Sequence, residues 1–242
     1  MPKNPISSIN EFTIGSIPFN NTNLISISGK VASGKGLVVN SIMMRYLEQG
    51  IGVLYISDTR LKINWTNINF ETTPFLYHIL IHTLTDFHDL VDLYNRIKIK
   101  NNIIKLVLII DVDYILETFY VDLSNDNDAQ TRHILYEKYK PKHIKIELDL
   151  GIRNRLKRDF YNKLYNFSSK ENTHVIITSQ SNNTPNNYGG HNMSLLQMTS
   201  LALNIHRENN IFQLSTIKSR YSLDNQIINC NLNPQLLTLE TD

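Results

Sequence analysis

Eight residues near the start of the chain have the types and spacing that hold a phosphate group. They read Gly29-Lys30-Val31-Ala32-Ser33-Gly34-Lys35-Gly36, and they stand between an apolar run and a stretch with helical periodicity. A glycine-rich turn at the start of a helix points several backbone N–H groups at one anion, and its lysine can reach the terminal phosphates. We call this segment the glycine loop. It predicts a nucleotide-binding site formed by five residues: Gly29, Ser33, Gly34, Lys35 and Gly36.

The last position of the glycine loop departs from the usual pattern. A serine or threonine normally follows the lysine, and its hydroxyl binds Mg²⁺. Here that position is Gly36. The sequence therefore predicts nucleotide binding more firmly than hydrolysis.

Strand and helix patterns alternate along the chain, which is typical of an α/β fold with a mostly parallel sheet and helices on both faces. The strands are predicted at Leu24–Ser28, Val53–Ser57, Lys105–Asp111 and His174–Gln180. Helices are expected at Lys35–Gln49, Asp86–Lys100 and Leu150–Phe167. Two late strands, Ser200–His206 and Phe212–Ile217, would extend the sheet in an antiparallel sense. The aromatic residues between Trp65 and Tyr77 are expected to pack under an irregular segment.

Length and composition favour one domain. The chain has 242 residues, of which 41% are hydrophobic, and a single cysteine, Cys230, so it can form no internal disulfide. No apolar run approaches the length of a membrane span, and we expect a soluble intracellular protein with no membrane partner. The predicted domain covers residues 24–242 with a basic insertion around 121–147. Residues 1–23 form a separate segment whose apolar residues are expected to dock on a neighbouring protomer.

The charge is unevenly distributed although the net charge is only +2. Residues 132–170 carry eleven lysines and arginines against four acids. Such a run is either a solvated helix face or a surface that binds a polyanion, and the sequence leaves both open.

The order of these motifs resembles the ATPase core of the RecA superfamily, in particular UvsX-type phage recombinases and DnaB-type replicative helicases. The glycine loop is the specific part of the likeness. An apolar strand tipped by Asp111 follows, then Thr178-Ser179-Gln180, and finally Lys218-Ser219-Arg220. The resemblance covers Leu24 to about Asn231 and implies a RecA-like P-loop fold with ATP and Mg²⁺ as cofactors.

The resemblance also implies roles for individual residues. Asp111 would hold Mg²⁺, and Asp58 would orient the attacking water, although it is one methylene shorter than the usual glutamate. Gln180 would sense the γ-phosphate. Lys218 and Arg220 would act in trans on the nucleotide of a neighbouring subunit, which requires a ring or filament of this chain or of related RecA-like subunits.

Single-stranded DNA is the partner that the resemblance implies. The loop Ser181–Asn192 stands where relatives contact the strand, but it holds no lysine or arginine. Its Tyr188 and His191 can still stack or hydrogen-bond, while the electrostatic share of binding must come from elsewhere. The best candidates are four lysines in the insertion: Lys138, Lys140, Lys142 and Lys145.

Three functions remain open from the sequence. The first is an ATP-driven recombinase or helicase core acting in DNA recombination or replication. The second is a non-hydrolysing paralogue that serves as a DNA-binding scaffold or mediator, which Gly36, Asp58 and the uncharged loop favour. The third is a small-molecule kinase of the P-loop class, against which the late Lys-x-Arg pair stands.

Overall fold

A computed structural model describes residues 13–14, 17–18, 23–58, 75–81, 104–113, 150–181, 193–209, 211–219, 227–233 and 238–241. A two-stranded antiparallel sheet pairs β1 (Thr13–Ile14) with β2 (Ile17–Pro18). The main sheet and its helices then follow in chain order: β3 (Leu24–Gly29), α1 (Lys35–Glu48), β4 (Gly52–Asp58), β5 (Leu76–Ile81), β6 (Ile104–Ile109), α2 (Leu150–Glu171), β7 (His174–Gln180), α3 (Met193–Met198), β8 (Leu201–Glu208), β9 (Ile211–Ser219), β10 (Ile227–Asn233) and β11 (Thr238–Thr241).

The main sheet is mostly parallel, as predicted, with an antiparallel extension. Its nine strands lie in the order β5-β4-β6-β7-β3-β8-β9-β10-β11. The six strands from β5 to β8 are parallel, and those from β8 to β11 are antiparallel. The parallel strands therefore end at one edge of the sheet. Strand β3 lies between β7 and β8. The chain runs from β3 toward β4 on one side and from β7 to β8 on the other, and open α/β sheets bind ligands where neighbouring strands connect in opposite directions.

Helix α1 packs on one face of the sheet. Its buried residues join alternate strand residues, such as Ile25 and Ile27 of β3, in one apolar core. Met43 is fully buried there, as expected of a residue that fills the core. The intervening strand positions, Leu24 and Val175 among them, are also buried, and they face the side on which α2 contacts β3 and β7. The continuous apolar run of β6 follows from burial on both faces.

The predicted strand and helix positions are confirmed for most of the described chain, with ends that differ by a few residues. The acid-tipped strand is shorter than predicted because β6 ends at Ile109, so Asp111 lies beyond it. The irregular segment predicted around Tyr77 is wrong in part, since Leu76–Ile81 forms strand β5 and pairs in parallel with β4. Polar Tyr77 and His78 interrupt the apolar run there and hide the strand pattern. The predicted helix Asp86–Lys100 and the insertion 121–147 lie outside the described residues.

Three elements lie in segments to which the sequence assigned no structure. Strands β10 and β11 were not predicted because polar residues interrupt them, and helix α3 was not predicted because six residues are too few to show a helical period. In the part of the chain that the structure describes, no helix is both long enough and apolar enough to span a bilayer.

A partly buried hydrogen bond between Tyr46 and His174 joins the end of α1 to the start of β7. Burial lowers the pKa of His174 to about 4, whereas a histidine in an unfolded chain titrates near pH 6.5. The unfolded chain therefore binds the proton first as the pH falls. We expect the free energy of unfolding to drop by about 3 kcal/mol between about pH 6.5 and pH 4.

Chemical denaturation across that pH range measures this loss. His174→Asn should remove most of the pH-dependent component, whereas His206→Asn on β8 should keep it because His174 is intact. Equal pH dependence in wild type and His174→Asn would show that other groups set acid stability.

Candidate functional site

The glycine loop lies at the carboxyl end of β3, in the middle of the parallel sheet. Gly29 is the last residue of β3, and α1 begins at Lys35. The turn between them takes the left-handed backbone conformation twice, at Ala32 (φ 59°) and Gly34 (φ 99°). Ser33 N–H donates to the Lys30 carbonyl at 3.2 Å, which closes the turn. The local sequence thus produces the strand, turn and helix that the motif predicted.

Two glycines of the loop lie too close to neighbouring atoms to be replaced by a residue with a side chain. A Cβ on Gly29 would come within 2.4 Å of Ser33 Oγ and 2.6 Å of the Ile205 carbonyl oxygen. A Cβ on Gly34 would lie 2.8 Å from the Phe212 ring, and its positive φ is strained for other residues. The loop therefore rests directly on β8 and β9.

The amino end of α1 is open to an anion. Its N-cap is Gly34, which has no capping side chain, and its first turn contains no acidic residue. The first N–H groups of a helix have no partner within the helix, and the helix dipole makes that end partly positive. The hydroxyl of Ser33, the residue before the N-cap, is buried and has no hydrogen-bond partner among the described residues. This arrangement suits a bound phosphate.

Lys35 lies folded back on the glycine loop. Its Nζ donates to the carbonyl oxygens of Gly29 at 3.1 Å and Lys30 at 3.0 Å. Burial lowers the pKa of Lys35, and the nearby carboxylates of Asp111 and Asp113 oppose that shift. The ammonium group therefore lies at the loop, bonded to backbone oxygens and within the influence of two acids.

Asp111 follows β6 after one residue and has a left-handed backbone, with φ 50°. Its N–H donates to Thr178 Oγ1 at 2.7 Å, which fixes it against the neighbouring strand β7. Its Oδ1 is buried without a hydrogen-bond partner among the described residues. Burial raises the pKa of Asp111, and the charge of Lys35 opposes that shift. A strained, half-desolvated carboxylate with one unpaired oxygen is typical of functional sites.

Gln180 and Asp113 lie next to Asp111 at the carboxyl ends of β6 and β7. Gln180 is the exposed last residue of β7 and lies beside Gly29 in the parallel register. Its backbone N–H donates to Asp113 Oδ2 at 3.3 Å. The next residue, Ser181, donates its N–H to the Gly29 carbonyl at 3.1 Å. Strand β7 is thereby tied both to the glycine loop and to the segment that carries the acids.

An open cleft of about 350 Å³ lies at these elements. Its walls are the loop residues from Val31 to Leu37, together with Ile110, Asp111, Thr178 and Gln180. No three side chains of histidine, cysteine, aspartate or glutamate come together within the described ranges. Of the predicted site residues, the structure thus gathers Ser33, Gly34, Lys35, Gly36, Asp111 and Gln180 into one cleft, with Gly29 below the loop.

Among the other predicted residues whose side chains the structure describes, Lys218 does not line this cleft. Asp58 is the last residue of β4, at the same edge of the sheet, and only its backbone is described. Lys218 lies on β9 opposite Ala202, toward the other edge, and its Nζ donates to the last carbonyls of α3, Leu196 O at 2.8 Å and Gln197 O at 3.1 Å. Outside the described residues lie Arg220, Lys138, Lys140, Lys142, Lys145, Tyr188 and His191.

Sequence reasoning missed the floor of the site. Ile205 and Phe212 support the glycine loop from β8 and β9, more than 170 residues along the chain. Their apolar character marked them as strand residues, but no local signal connected them with the loop.

The chain was also compared with known proteins. No protein-family model matches it, and a search of curated proteins found no match. The cleft and the sequence motifs that line it are therefore the features that indicate a function.

Proposed function

We propose that this chain is an ATP-binding RecA-like protein that acts on DNA, as the ATPase core of a recombinase or helicase. It would assemble as a ring or filament, with itself or with related RecA-like subunits. The observation that carries the proposal is the cleft in which the glycine loop, Lys35, Asp111 and Gln180 meet at the carboxyl ends of three adjacent parallel strands.

A triphosphate fits the chemistry of this cleft. The open start of α1 and the loop N–H groups suit one phosphate, and Lys35 supplies a mobile positive charge for the next. Lys35 now donates to two carbonyl oxygens, which are neutral acceptors. Phosphate oxygens are charged and form stronger hydrogen bonds, so the ammonium group would move to them readily.

Magnesium also fits the residues of the cleft. The cation prefers oxygen ligands, and it is commonly held by one or two carboxylates together with substrate phosphates and water. Asp111 offers a buried carboxylate oxygen that no described residue hydrogen-bonds. When bound, the ion would neutralise charge on the phosphates. Asp111 would hold it, and Gly36 would contribute no oxygen from its side chain.

Placement along the sheet supports the RecA-like part of the proposal. Asp58 and Gln180 both end parallel strands at the edge that carries the glycine loop, where a water-orienting acid and a γ-phosphate sensor would have to be. The sheet also continues into an antiparallel extension that carries Lys218. The basic segment 132–170 and the resemblance to DNA-dependent ATPases favour single-stranded DNA as the partner.

Steady-state ATP hydrolysis with Mg²⁺, measured with and without a single-stranded DNA oligonucleotide, tests this function. We expect turnover that DNA stimulates and that Lys35→Ala abolishes while its thermal unfolding midpoint stays close to wild type. Phosphate release without any small acceptor also argues against a kinase. Failure of the wild type to bind ATP would overturn the proposal.

A second function has a specific observation in its favour. Gly36 cannot give the hydroxyl that usually binds Mg²⁺, which favours a non-hydrolysing scaffold or mediator that binds nucleotide and DNA. ATP and DNA binding without turnover would support this alternative.

Gly36→Ser offers a direct test of the missing hydroxyl. An added oxygen ligand is worth about 1.5 kcal/mol, so we expect Mg²⁺-dependent ATP affinity to rise on the order of tenfold. Gly36→Ala is the matched control, because it removes the helix cost of glycine without adding an oxygen. Titrations of ATP at several Mg²⁺ concentrations measure the effect. An equal gain in both variants would show that helix propensity alone was responsible.

A further inference from the structure

Arg207 and Phe212 face each other on the two strands that support the glycine loop. They are direct partners in the antiparallel register of β8 and β9. The guanidinium carbon of Arg207 lies 5.3 Å from the centroid of the Phe212 ring, which is the distance of a cation–π contact. Arg207 Nε also donates to the Asn209 carbonyl at 3.2 Å, in the turn between the strands. The guanidinium group is therefore held over the ring.

Phe212 connects this pair to the nucleotide loop. The ring is almost fully buried, and it lies immediately under Gly34, the N-cap of α1. Arg207 itself is exposed. One face of its guanidinium group is covered by the ring, so the opposite face is open to a ligand from the solvent side.

The position of the pair matches the far end of a bound nucleotide. Asp111, Thr178 and Gln180 mark the terminal-phosphate side, and they follow β6 and β7, which lie to one side of β3. Strands β8 and β9 lie to the other side. Neighbouring strands are about 4.8 Å apart, so β9 is roughly 10 Å from β3, which is comparable to the reach from the phosphates to the base of a nucleotide.

We propose that Arg207, held on the Phe212 ring, forms a stacking platform for the base of a purine nucleoside triphosphate whose phosphates occupy the glycine loop. This inference rests on the proposed nucleotide-binding function and adds the recognition of the base to it. A planar guanidinium group stacks well on flat π-systems, whereas a lysine ammonium group does not. The larger purine rings gain more from such stacking than pyrimidines do.

Equilibrium binding of ATP, CTP and inorganic tripolyphosphate, in the presence of Mg²⁺ and without DNA, tests the platform. Arg207→Ala should weaken ATP binding roughly three- to tenfold, weaken CTP binding less, and leave tripolyphosphate binding unchanged. Arg207→Lys keeps the charge and should still lose the preference for ATP over CTP. Arg45→Ala, which removes an exposed arginine from the last turn of α1, should bind all three ligands as the wild type does.

Each alternative gives a different result. An equal loss of ATP and tripolyphosphate affinity in Arg207→Ala would mean that the guanidinium group contacts phosphates, and it would overturn the platform. Unchanged ATP affinity would overturn it as well. If wild-type protein binds neither ATP nor tripolyphosphate, the proposed function itself fails, whereas tripolyphosphate binding without any preference for ATP removes only the platform.

A fluorescent purine nucleotide gives a second readout that does not depend on affinity. The emission of etheno-ATP falls when its base stacks, so bound ligand should be quenched by the wild type and released from quenching in Arg207→Ala. Equal emission from ligand bound to both proteins would contradict stacking. Thermal unfolding of each variant shows whether the substitution changes the stability of the fold.

Discussion

Replacing Gly29 with alanine is expected to abolish nucleotide binding. The new Cβ would lie 2.4 Å from Ser33 Oγ, 2.6 Å from the Ile205 carbonyl oxygen and 2.9 Å from Ile205 Cγ2. Ser33 could rotate, but the Ile205 backbone is fixed by pairing with β3 and β9. The glycine loop must therefore move away from the sheet. We expect ATP affinity to fall at least about 100-fold and the free energy of unfolding to fall by about 1–3 kcal/mol.

Gly50→Ala is the matched control for this variant. Gly50 follows α1 with a φ of 70°, and an added Cβ would meet nothing within 4 Å. Alanine there costs about 1–2 kcal/mol because of backbone strain alone. A calorimetric titration with ATP and Mg²⁺ should therefore show normal affinity for Gly50→Ala and no binding for Gly29→Ala. Wild-type affinity in Gly29→Ala would show that the loop tolerates displacement or that phosphate binds elsewhere.

Local signals made part of this architecture predictable. The glycine loop, the start of α1 and the apolar strands β6 and β7 depend on residues that are close in sequence, and β7 was predicted with the ends that it has. A long run of apolar residues is a clear sign of a strand that is buried on both faces of a parallel sheet. The mixed α/β class and the late antiparallel strands followed from the order of these elements.

Contacts between distant segments were not predictable in the same way. Phe212 belongs to the floor of the site only because β9 lies two strands away from β3, and strand order is a property of the whole chain. Likewise, Lys218 belongs to the Lys-x-Arg motif of the sequence, yet its ammonium group caps the end of α3 in the single chain. Its role toward a neighbouring subunit stays a prediction.

Two acids stand two residues apart after strand β6. The sequence predicts Asp111, at the tip of the apolar run, as the cation ligand, whereas Asp113 could share the ion or be solvated. The structure distinguishes them by their partners, because Asp113 Oδ2 accepts the Gln180 N–H whereas Asp111 Oδ1 is buried and unpaired among the described residues. A free, partly desolvated oxygen is the better ligand for a hard cation.

Asp111→Asn is therefore expected to remove the Mg²⁺ dependence of the site. Asparagine keeps the size of the side chain and leaves the backbone N–H bond to Thr178 in place, but its amide oxygen is a far weaker ligand for Mg²⁺ than a carboxylate. We expect any Mg²⁺-dependent hydrolysis to fall on the order of 100-fold, since cation and phosphate charges would no longer be matched. The gain in ATP affinity that Mg²⁺ gives to the wild type should also disappear.

Asp113→Asn provides the comparison, measured by the same titrations of ATP against Mg²⁺. An asparagine oxygen can still accept the Gln180 N–H, and Asp111 remains to hold the cation, so we expect a change of less than about fivefold. Removal of either carboxylate also leaves Lys35 with less opposing charge, which lowers the pKa of its ammonium group further in both variants. Both variants share this effect on Lys35. A difference between them in Mg²⁺-dependent ATP affinity therefore identifies the carboxylate that binds the cation. An equal or larger loss in Asp113→Asn would assign the cation to Asp113 instead.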